Sequence, residues 1–256
     1  MKLVAAALVL LAAVGLLVAS AFRLTRSSRV VVTVSEHAYG LGRDRVWVIG
    51  PNGRKPRAVV VFLHGAGDEK ETTPYYHRPW LRHLALEGYD VVYPKYETTP
   101  GQADALRHIV AGVLIGMQHV PTDLPSAAIG YSRGGRLVVD YASVAGSRAA
   151  PAPRTVLSVF PAGGLDPLRN LSSIPEGTRI TILTGDRDDV VGTIGANELI
   201  TQLAASGFPY RNLRLGRVRS HGFFLATHLS VLEDSEGAHA AFWTPADRLI
   251  AAIVRD

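Results

Sequence analysis

The sequence contains no cysteine among its 256 residues. Disulfide bonds, thiolate catalysis and cysteine-ligated zinc are therefore excluded for this chain. The sequence also lacks G-x-x-x-x-G-K-[ST], a G-x-G-x-x-G that opens a helix, and any histidine pair spaced as in H-E-x-x-H. It thus gives no support for a nucleotide cofactor, and no metal is expected.

Acidic residues are absent from the first 29 residues, which hold the four positive charges of Lys2, Arg23, Arg26 and Arg29. Removing these four charges takes the formal net charge of the chain from +5 to +1. A domain this close to neutrality has no electrostatic basis for binding nucleic acid, although the pI of the whole chain is near 9.6. We therefore expect no nucleic-acid partner.

Charged residues are absent from residues 3–22, "LVAAALVLLAAVGLLVASAF". Twenty apolar residues in a helix rise about 30 Å, the thickness of the hydrocarbon core of a bilayer. The segment is either a secretory signal cleaved after Ala21, following the small-residue triplet Ala19-Ser20-Ala21, or an uncleaved membrane anchor. The arginines beyond it prefer the cytoplasmic side and would argue for a reversed anchor if the segment is retained. We expect an extracytoplasmic protein that contacts the membrane through residues 3–22 if they are not removed.

The sequence from residue 30 onward alternates short apolar runs with helical patterns. The continuous β-branched runs are "AVVVFLH" (58–64), "YDVVYP" (89–94), "SAAIGY" (126–131), "TVLSVFP" (155–161) and "RITILTG" (179–185). Such runs are typical of strands covered on both faces, and the intervening helices require right-handed crossovers. We therefore predict one α/β domain over residues 30–256, with a mostly parallel central sheet and helices on both faces, preceded by residues 1–29 as signal or anchor plus a short spacer.

The pattern Gly130-x-Ser132-x-Gly134 follows one of these strands. It is expected where a buried strand turns sharply into a helix and presents a serine at the corner. Any side chain at the flanking glycines would collide with such a turn. The serine is then either a nucleophile or a hydroxyl that satisfies the helix N-terminus, and only a nucleophile needs a histidine and a carboxylate nearby.

Three further clusters follow predicted strands, namely "HGAG" (64–67), "GDRDD" (185–189) and "SHGFF" (220–224). In open parallel sheets, functional groups gather in loops after the carboxyl ends of strands. The order of glycine-rich loop, Gly-x-Ser-x-Gly, acid and histidine resembles the α/β-hydrolase superfamily of serine esterases and lipases over the whole of residues 30–256. The resemblance implies that fold and a nucleophilic serine.

The resemblance also implies a catalytic triad of Ser132, Asp188 and His221. Counting along the acidic loop of the family selects Asp188, and Asp166 after the preceding strand is the other candidate acid. His221 follows the last predicted strand, 33 residues after Asp188, and His228 is the alternative base.

The resemblance assigns the oxyanion hole to the backbone N–H groups of Ala66 and Arg133. The side chain of Arg133 is expected to pair with a surface acid. Only about 17 residues separate the sixth and seventh predicted strands, where many relatives insert a helical lid, so no large lid domain is expected.

These assignments predict a serine hydrolase that cleaves a small-molecule or lipid-like carboxylic ester through an acyl-enzyme, without a cofactor. A peptidase or a thioesterase would use the same three residues, and the sequence does not distinguish the leaving groups. A binding protein with this fold and no catalytic activity is the remaining alternative.

Overall fold

The structure is a computed structural model that describes residues 32–96, 102–164 and 170–255. The predicted signal or anchor and its spacer, residues 1–29, lie outside the described residues, as does the alternative acid Asp166. Within the described ranges, no helix is both long enough and apolar enough to span a bilayer. The assignment of residues 1–29 therefore stays a prediction.

Eight strands form one sheet in the described part of the chain. In chain order they are β1 (Thr33–Tyr39), β2 (Val46–Asn52), β3 (Ala58–Leu63), β4 (Tyr89–Pro94), β5 (Ser126–Tyr131), β6 (Thr155–Val159), β7 (Arg179–Gly185) and β8 (Leu213–Val218). Their order across the sheet is β1-β2-β4-β3-β5-β6-β7-β8. β1 pairs with β2, and β2 with β4, in antiparallel fashion, whereas all other neighbouring strands are parallel. The predicted mostly parallel sheet is confirmed.

Among the described residues, five helices of nine residues or more connect or follow the strands. They are α1 (Arg78–Leu86), α2 (Gln102–Met117), α3 (Arg133–Val144), α4 (Ile194–Ala205) and α5 (Thr244–Arg255). Helix α1 carries Pro79 in its first turn, where the missing N–H has no intrahelical acceptor to lose. Between β6 and β7 the described residues form only a short helical turn at Leu171–Ser173.

The two faces of the sheet are covered by different helices. Side chains alternate along β3, so that Val59, Val61 and Leu63 pack in the same core as residues of α2, α3 and α4. Val60 and Phe62 point to the opposite face and pack with residues of α1 and α5. Both faces of the strand are therefore buried, which explains the continuous apolar run in the sequence.

The polar clusters singled out in the sequence meet at one edge of the sheet. β3, β5, β7 and β8 are parallel, and the loops that follow them begin at His64, Ser132, Asp186 and Arg219. The sheet order places the serine loop near the centre of this edge and the loop after β8 at its end.

Candidate active site

Ser132 occupies a strained corner between β5 and α3. Its φ of 55° and ψ of −119° lie outside the regions that non-glycine residues normally adopt. The turn is so tight that a Cβ atom at Gly130 would clash with the carbonyl of Gly134, and one at Gly134 would clash with the carbonyls of Leu63 and His64. Ser132 is held in place by its N–H, which donates to the carbonyl of Val159 at 2.9 Å. The fold thus fixes a serine side chain at the carboxyl edge of the sheet.

His228 connects Ser132 to Asp188. Its Nε2 lies 3.0 Å from Ser132 Oγ, and its Nδ1 lies 2.9 Å from Asp188 Oδ2. All three residues are more than 90% buried. A neutral imidazole with its proton on Nδ1 donates to Asp188 and accepts the serine hydroxyl proton at Nε2. The three side chains therefore form a continuous hydrogen-bonded array in which His228 can take the proton of Ser132 while Asp188 orients the ring.

Asp188 is ionised in this arrangement. Burial alone would raise the pKa of Asp188, but the hydrogen bond and charge of His228, together with the N–H groups of Val191 and Val190, lower that pKa below its ordinary value. Both valine N–H groups donate to Asp188 Oδ1 at 3.1 Å, which leaves Oδ2 for the imidazole. A carboxylate held in this way stabilises a positive charge on His228 and fixes the tautomer of the ring.

His221 does not lie at this site, and its selection as the partner of Ser132 and Asp188 is corrected in favour of His228. His221 is exposed, and its backbone forms a tight bridge with Phe224, with 2.9 Å hydrogen bonds in both directions. The path of the loop supplies the reason. The bridge to Phe224 holds His221 at the surface, and the chain returns to Ser132 and Asp188 only at His228.

A clamp of hydrogen bonds ties the loop that carries His228 to the loop that carries Asp188. Asp186 accepts the N–H of Ser220 at 3.0 Å and its hydroxyl at 2.6 Å. The same hydroxyl oxygen accepts the N–H of Ala226 at 2.9 Å, and the N–H of Arg187 donates to the carbonyl of Ala226 at 3.3 Å. The clamp Asp186–Ser220–Ala226 thus holds in place the two ends of the loop segment that contains His221.

The glycine-rich loop after β3 lies against Ser132. A Cβ atom added to Gly65 would lie 3.2 Å from Ser132 Cβ, which shows how closely the loop approaches the serine. Ala66 follows Gly65 and is exposed at the surface of the loop. Arg133 is the first residue of α3, so its N–H is one of the helix N-terminal donors without an intrahelical acceptor. Arg133 thus follows Ser132 in the chain, Ala66 follows the glycine that approaches Ser132, and their role as oxyanion donors stays a prediction.

A buried acid supports this glycine-rich loop, and sequence reasoning missed it. Glu71 accepts the N–H of Gly65 at 3.0 Å and lies 3.2 Å from His77 Nε2. Burial alone would raise the pKa of Glu71, but the hydrogen bond and charge of His77 and the N–H of Gly65 lower it. The stretch "DEKET" reads as a solvated turn, and the only sequence signal for its buried glutamate is the histidine six residues later.

His64, the residue before Gly65, is buried beneath the loop. Its Nδ1–H donates to the carbonyl of Gly65 at 2.7 Å, and its ring stacks on Tyr96 with the centroids 4.0 Å apart. Burial lowers the pKa of His64 to about 4, so the ring is neutral at neutral pH. Across the described residues, no three His, Asp or Glu side chains are grouped so that they could hold a metal ion.

Comparisons with known proteins were made by sequence and by structure. No family model and no curated protein matches the chain. Among solved structures, esterase B of Lactobacillus rhamnosis has a TM-score of 0.65 and 18% identity, and the match covers 95% of this chain and 94% of that one. A fungal esterase of Rhizomucor miehei has a TM-score of 0.63 and 17% identity, with 87% and 84% covered. Carboxyl esterase 2 of Tuber melanosporum has a TM-score of 0.62 and 16% identity, with 90% and 88% covered. The predicted fold class is confirmed: the chain has the α/β-hydrolase fold.

Proposed function

We propose that this protein is a serine hydrolase that cleaves carboxylic esters through a covalent acyl-enzyme. The observation that carries the proposal is the position of His228, within hydrogen-bonding distance of both Ser132 Oγ and Asp188 Oδ2. A serine hydroxyl becomes a competent nucleophile when a base removes its proton during attack, and a base so placed needs a carboxylate to orient it. The strained backbone of Ser132 supports the proposal, because such strain is concentrated at functional sites.

In the acylation step, Ser132 Oγ forms a bond to the carbonyl carbon of the ester while His228 Nε2 takes the hydroxyl proton. Negative charge develops on the carbonyl oxygen and is stabilised by the N–H groups of Ala66 and Arg133. The bond between the carbonyl carbon and the alcohol oxygen then breaks, and His228 donates its proton to the departing alcohol.

In the deacylation step, His228 removes a proton from a water molecule, which attacks the carbonyl carbon of the acyl group. The same N–H groups stabilise the second oxyanion. Ser132 then leaves with the proton from His228, and the carboxylic acid product is released. Asp188 stays ionised throughout and balances the transient charge of the imidazolium.

Esters are favoured over amides and thioesters because the structurally similar proteins are esterases. One of them, esterase B of Lactobacillus rhamnosis, is described with a bound tributyrin phosphonate inhibitor. The substrate proposed for this chain is a small-molecule or lipid-like ester. Parallel assays with an ester, a thioester and an amide of the same acyl group separate the esterase from the thioesterase and peptidase alternatives.

We propose further that residues 3–22 take the domain out of the cytoplasm, as a cleaved signal or as an anchor. The support is the run of 20 uncharged residues, which matches the thickness of a bilayer core. The mass of the mature protein distinguishes the two forms: loss of residues 1–21 indicates a signal, and an intact N-terminus indicates an anchor. An intact chain found in the cytoplasmic soluble fraction would contradict both.

Labelling with a fluorophosphonate followed by peptide mapping tests the proposed chemistry. We expect one adduct, on the peptide that contains Ser132, and none in Ser132→Ala. Ser126→Ala is the matched control, since Ser126 is equally buried at the opposite end of β5 and its hydroxyl has no hydrogen-bond partner within the described residues. If the wild-type protein is folded, with the same melting temperature as the two variants, and is not labelled at Ser132, the result would favour a binding protein without catalytic activity.

A further inference from the structure

Arg133 carries a guanidinium group on the residue that follows the proposed nucleophile in the chain. It is the residue after Ser132 and the first residue of α3, and it is half-buried. Its Nε atom is fully buried and has no hydrogen-bond partner within the described residues. The expected ion pair with a surface acid is not formed with any carboxylate in those same ranges. The side chain therefore carries a partly desolvated positive charge without a counter-ion there.

The carboxylates buried at the site are engaged by other donors. Asp188 accepts from His228 and from two backbone N–H groups. Glu71 accepts from Gly65 and lies against His77. Neither of these two buried acids is therefore available to neutralise Arg133.

Another arginine of the same helix shows how the fold treats a guanidinium that serves only packing. Arg136 is almost fully buried, donates to Gln202 and lies 4.0 Å from Asp140. Arg136 thus has one hydrogen-bond partner and one nearby acid within the domain, although its own Nε and Nη1 atoms also lack hydrogen-bond partners among the described residues. Arg133, one turn closer to the serine, has no such partners among the described residues.

The surroundings of Arg133 lie on the side of the glycine-rich loop. Burial lowers the pKa of Arg133, and the neighbouring Tyr96 opposes this shift. The Tyr96 hydroxyl donates to the carbonyl of His64, the residue before Gly65. Gly134 packs directly on the same carbonyl. Arg133 therefore lies near the loop that would face the carbonyl group of a bound ester.

A partly desolvated guanidinium gains most from a planar anion that can accept two parallel hydrogen bonds, and a carboxylate fits that description. Removing the guanidinium from such a pair should lower the rate of hydrolysis mainly for substrates that carry the carboxylate. Resting on the serine hydrolase function proposed above, we propose that Arg133 selects esters that carry a second, ionised carboxylate or similar anionic group. The substrates of this class are half-esters of dicarboxylic acids or esters of anionic alcohols.

The experiment compares monomethyl glutarate with dimethyl glutarate, which share one acyl skeleton and differ by one negative charge. The measured quantity is the ratio of kcat/KM for the monoanion to kcat/KM for the neutral diester. We expect Arg133→Met to lower this ratio about tenfold or more, the scale of one ion pair at a half-buried site. Arg133→Lys keeps the charge and is expected to retain more of the preference than Arg133→Met.

Arg148→Met is the matched control, because Arg148 is an exposed arginine in the turn beyond the far end of α3. It removes the same charge from the protein and should leave the ratio within about twofold of the wild-type value. An equal fall in the ratio for both variants would show that overall charge, and not Arg133, is responsible, and would overturn the proposal.

A second substrate pair locates the anion on the substrate. The ratio of kcat/KM for 4-acetoxybenzenesulfonate to kcat/KM for phenyl acetate tests for recognition of an anion on the leaving group. The glutarate pair tests for recognition of an anion on the acyl group. A lower ratio for either pair in Arg133→Met supports the proposal and shows whether the recognised anion lies on the leaving group or on the acyl group. Unchanged ratios for both pairs overturn it, even if hydrolysis of the neutral esters continues. Failure of the serine hydrolase function itself is recognised separately, because the neutral esters would then be hydrolysed equally by wild type and by Ser132→Ala.

Discussion

His228 Nε2 lies 3.0 Å from Ser132 Oγ, although 96 residues separate the two in the chain. The serine is fixed by the tight turn after β5, and the histidine is delivered by a long loop after β8, the edge strand of the parallel half of the sheet. The position of Ser132 is set by backbone packing. The position of His228 depends on the hydrogen bonds that hold its loop.

The clamp Asp186–Ser220–Ala226 is therefore expected to act on catalysis through the position of His228. Ser220→Ala removes two hydrogen bonds of the clamp and should lower kcat about 10- to 100-fold with a small change in KM, since displacements of about 1 Å have that effect. Steady-state kinetics and limited proteolysis of residues 219–227 check this. The control is Ser206→Ala, which removes a local bond to Leu203 at the end of α4. A kcat within about twofold of wild type would mean that the loop holds its shape without the clamp.

Asp188→Asn should lower kcat/KM by about 10⁴-fold, because an amide no longer fixes the required tautomer of His228. The fold should persist, since an asparagine oxygen can still accept from Val190 and Val191. Asp189→Asn is the neighbouring control, and its exposed side chain predicts a change within a few-fold. If Asp166→Asn is the severe variant and Asp188→Asn is mild, the acid has been assigned to the wrong loop.

Gly134→Ala should destabilise the protein by about 3 kcal/mol or more, because its methyl group would meet backbone carbonyls that cannot move aside. The melting temperature is expected to fall by at least about 6 °C. Gly146→Ala provides the contrast, since a Cβ atom there meets nothing within 4 Å, and it should stay within about 0.5 kcal/mol of wild type. Equal melting temperatures for the two variants would contradict the tight turn at Ser132.

The buried His64 predicts a loss of stability on acidification. Burial lowers the pKa of His64 from its ordinary value of 6.5 to about 4, so between these pH values only the unfolded chain takes up the proton. The contribution is fully present above pH 6.5 and is lost as the pH falls towards 4, amounting to about 3 kcal/mol. Denaturant unfolding at pH 7 and at pH 4 should show this decrease in wild type and a decrease smaller by about that amount in His64→Asn. Identical pH dependence in the two proteins would mean that His64 is solvated in the folded state.

Much of this architecture could be predicted from the sequence because the signals are local. Continuous apolar runs identify strands buried on both faces, and the glycines around Ser132 identify a turn that admits no side chain. Asp188 is selected by counting along the acidic loop of the family that the sequence resembles, and the structure places its Oδ2 2.9 Å from His228 Nδ1. The strand order across the sheet was not available from these patterns.

The position of His228 and the role of Glu71 were not predictable in this way. Choosing between His221 and His228 requires knowing the path of the loop after β8, in which the bridge to Phe224 holds His221 at the surface and the chain returns to the serine at His228. Glu71 sits in a polar stretch and is buried only because the chain folds back over the glycine-rich loop, a tertiary contact with no local pattern.

The comparison of His228→Ala with His221→Ala tests the central claim most directly. Both variants remove one imidazole from the same loop, but only His228 lies between Ser132 and Asp188. We expect kcat/KM for a neutral ester to fall by about 10⁴-fold or more in His228→Ala and to stay within a few-fold of wild type in His221→Ala, with both proteins folded. A severe loss in His221→Ala together with an active His228→Ala would contradict the proposed catalytic site.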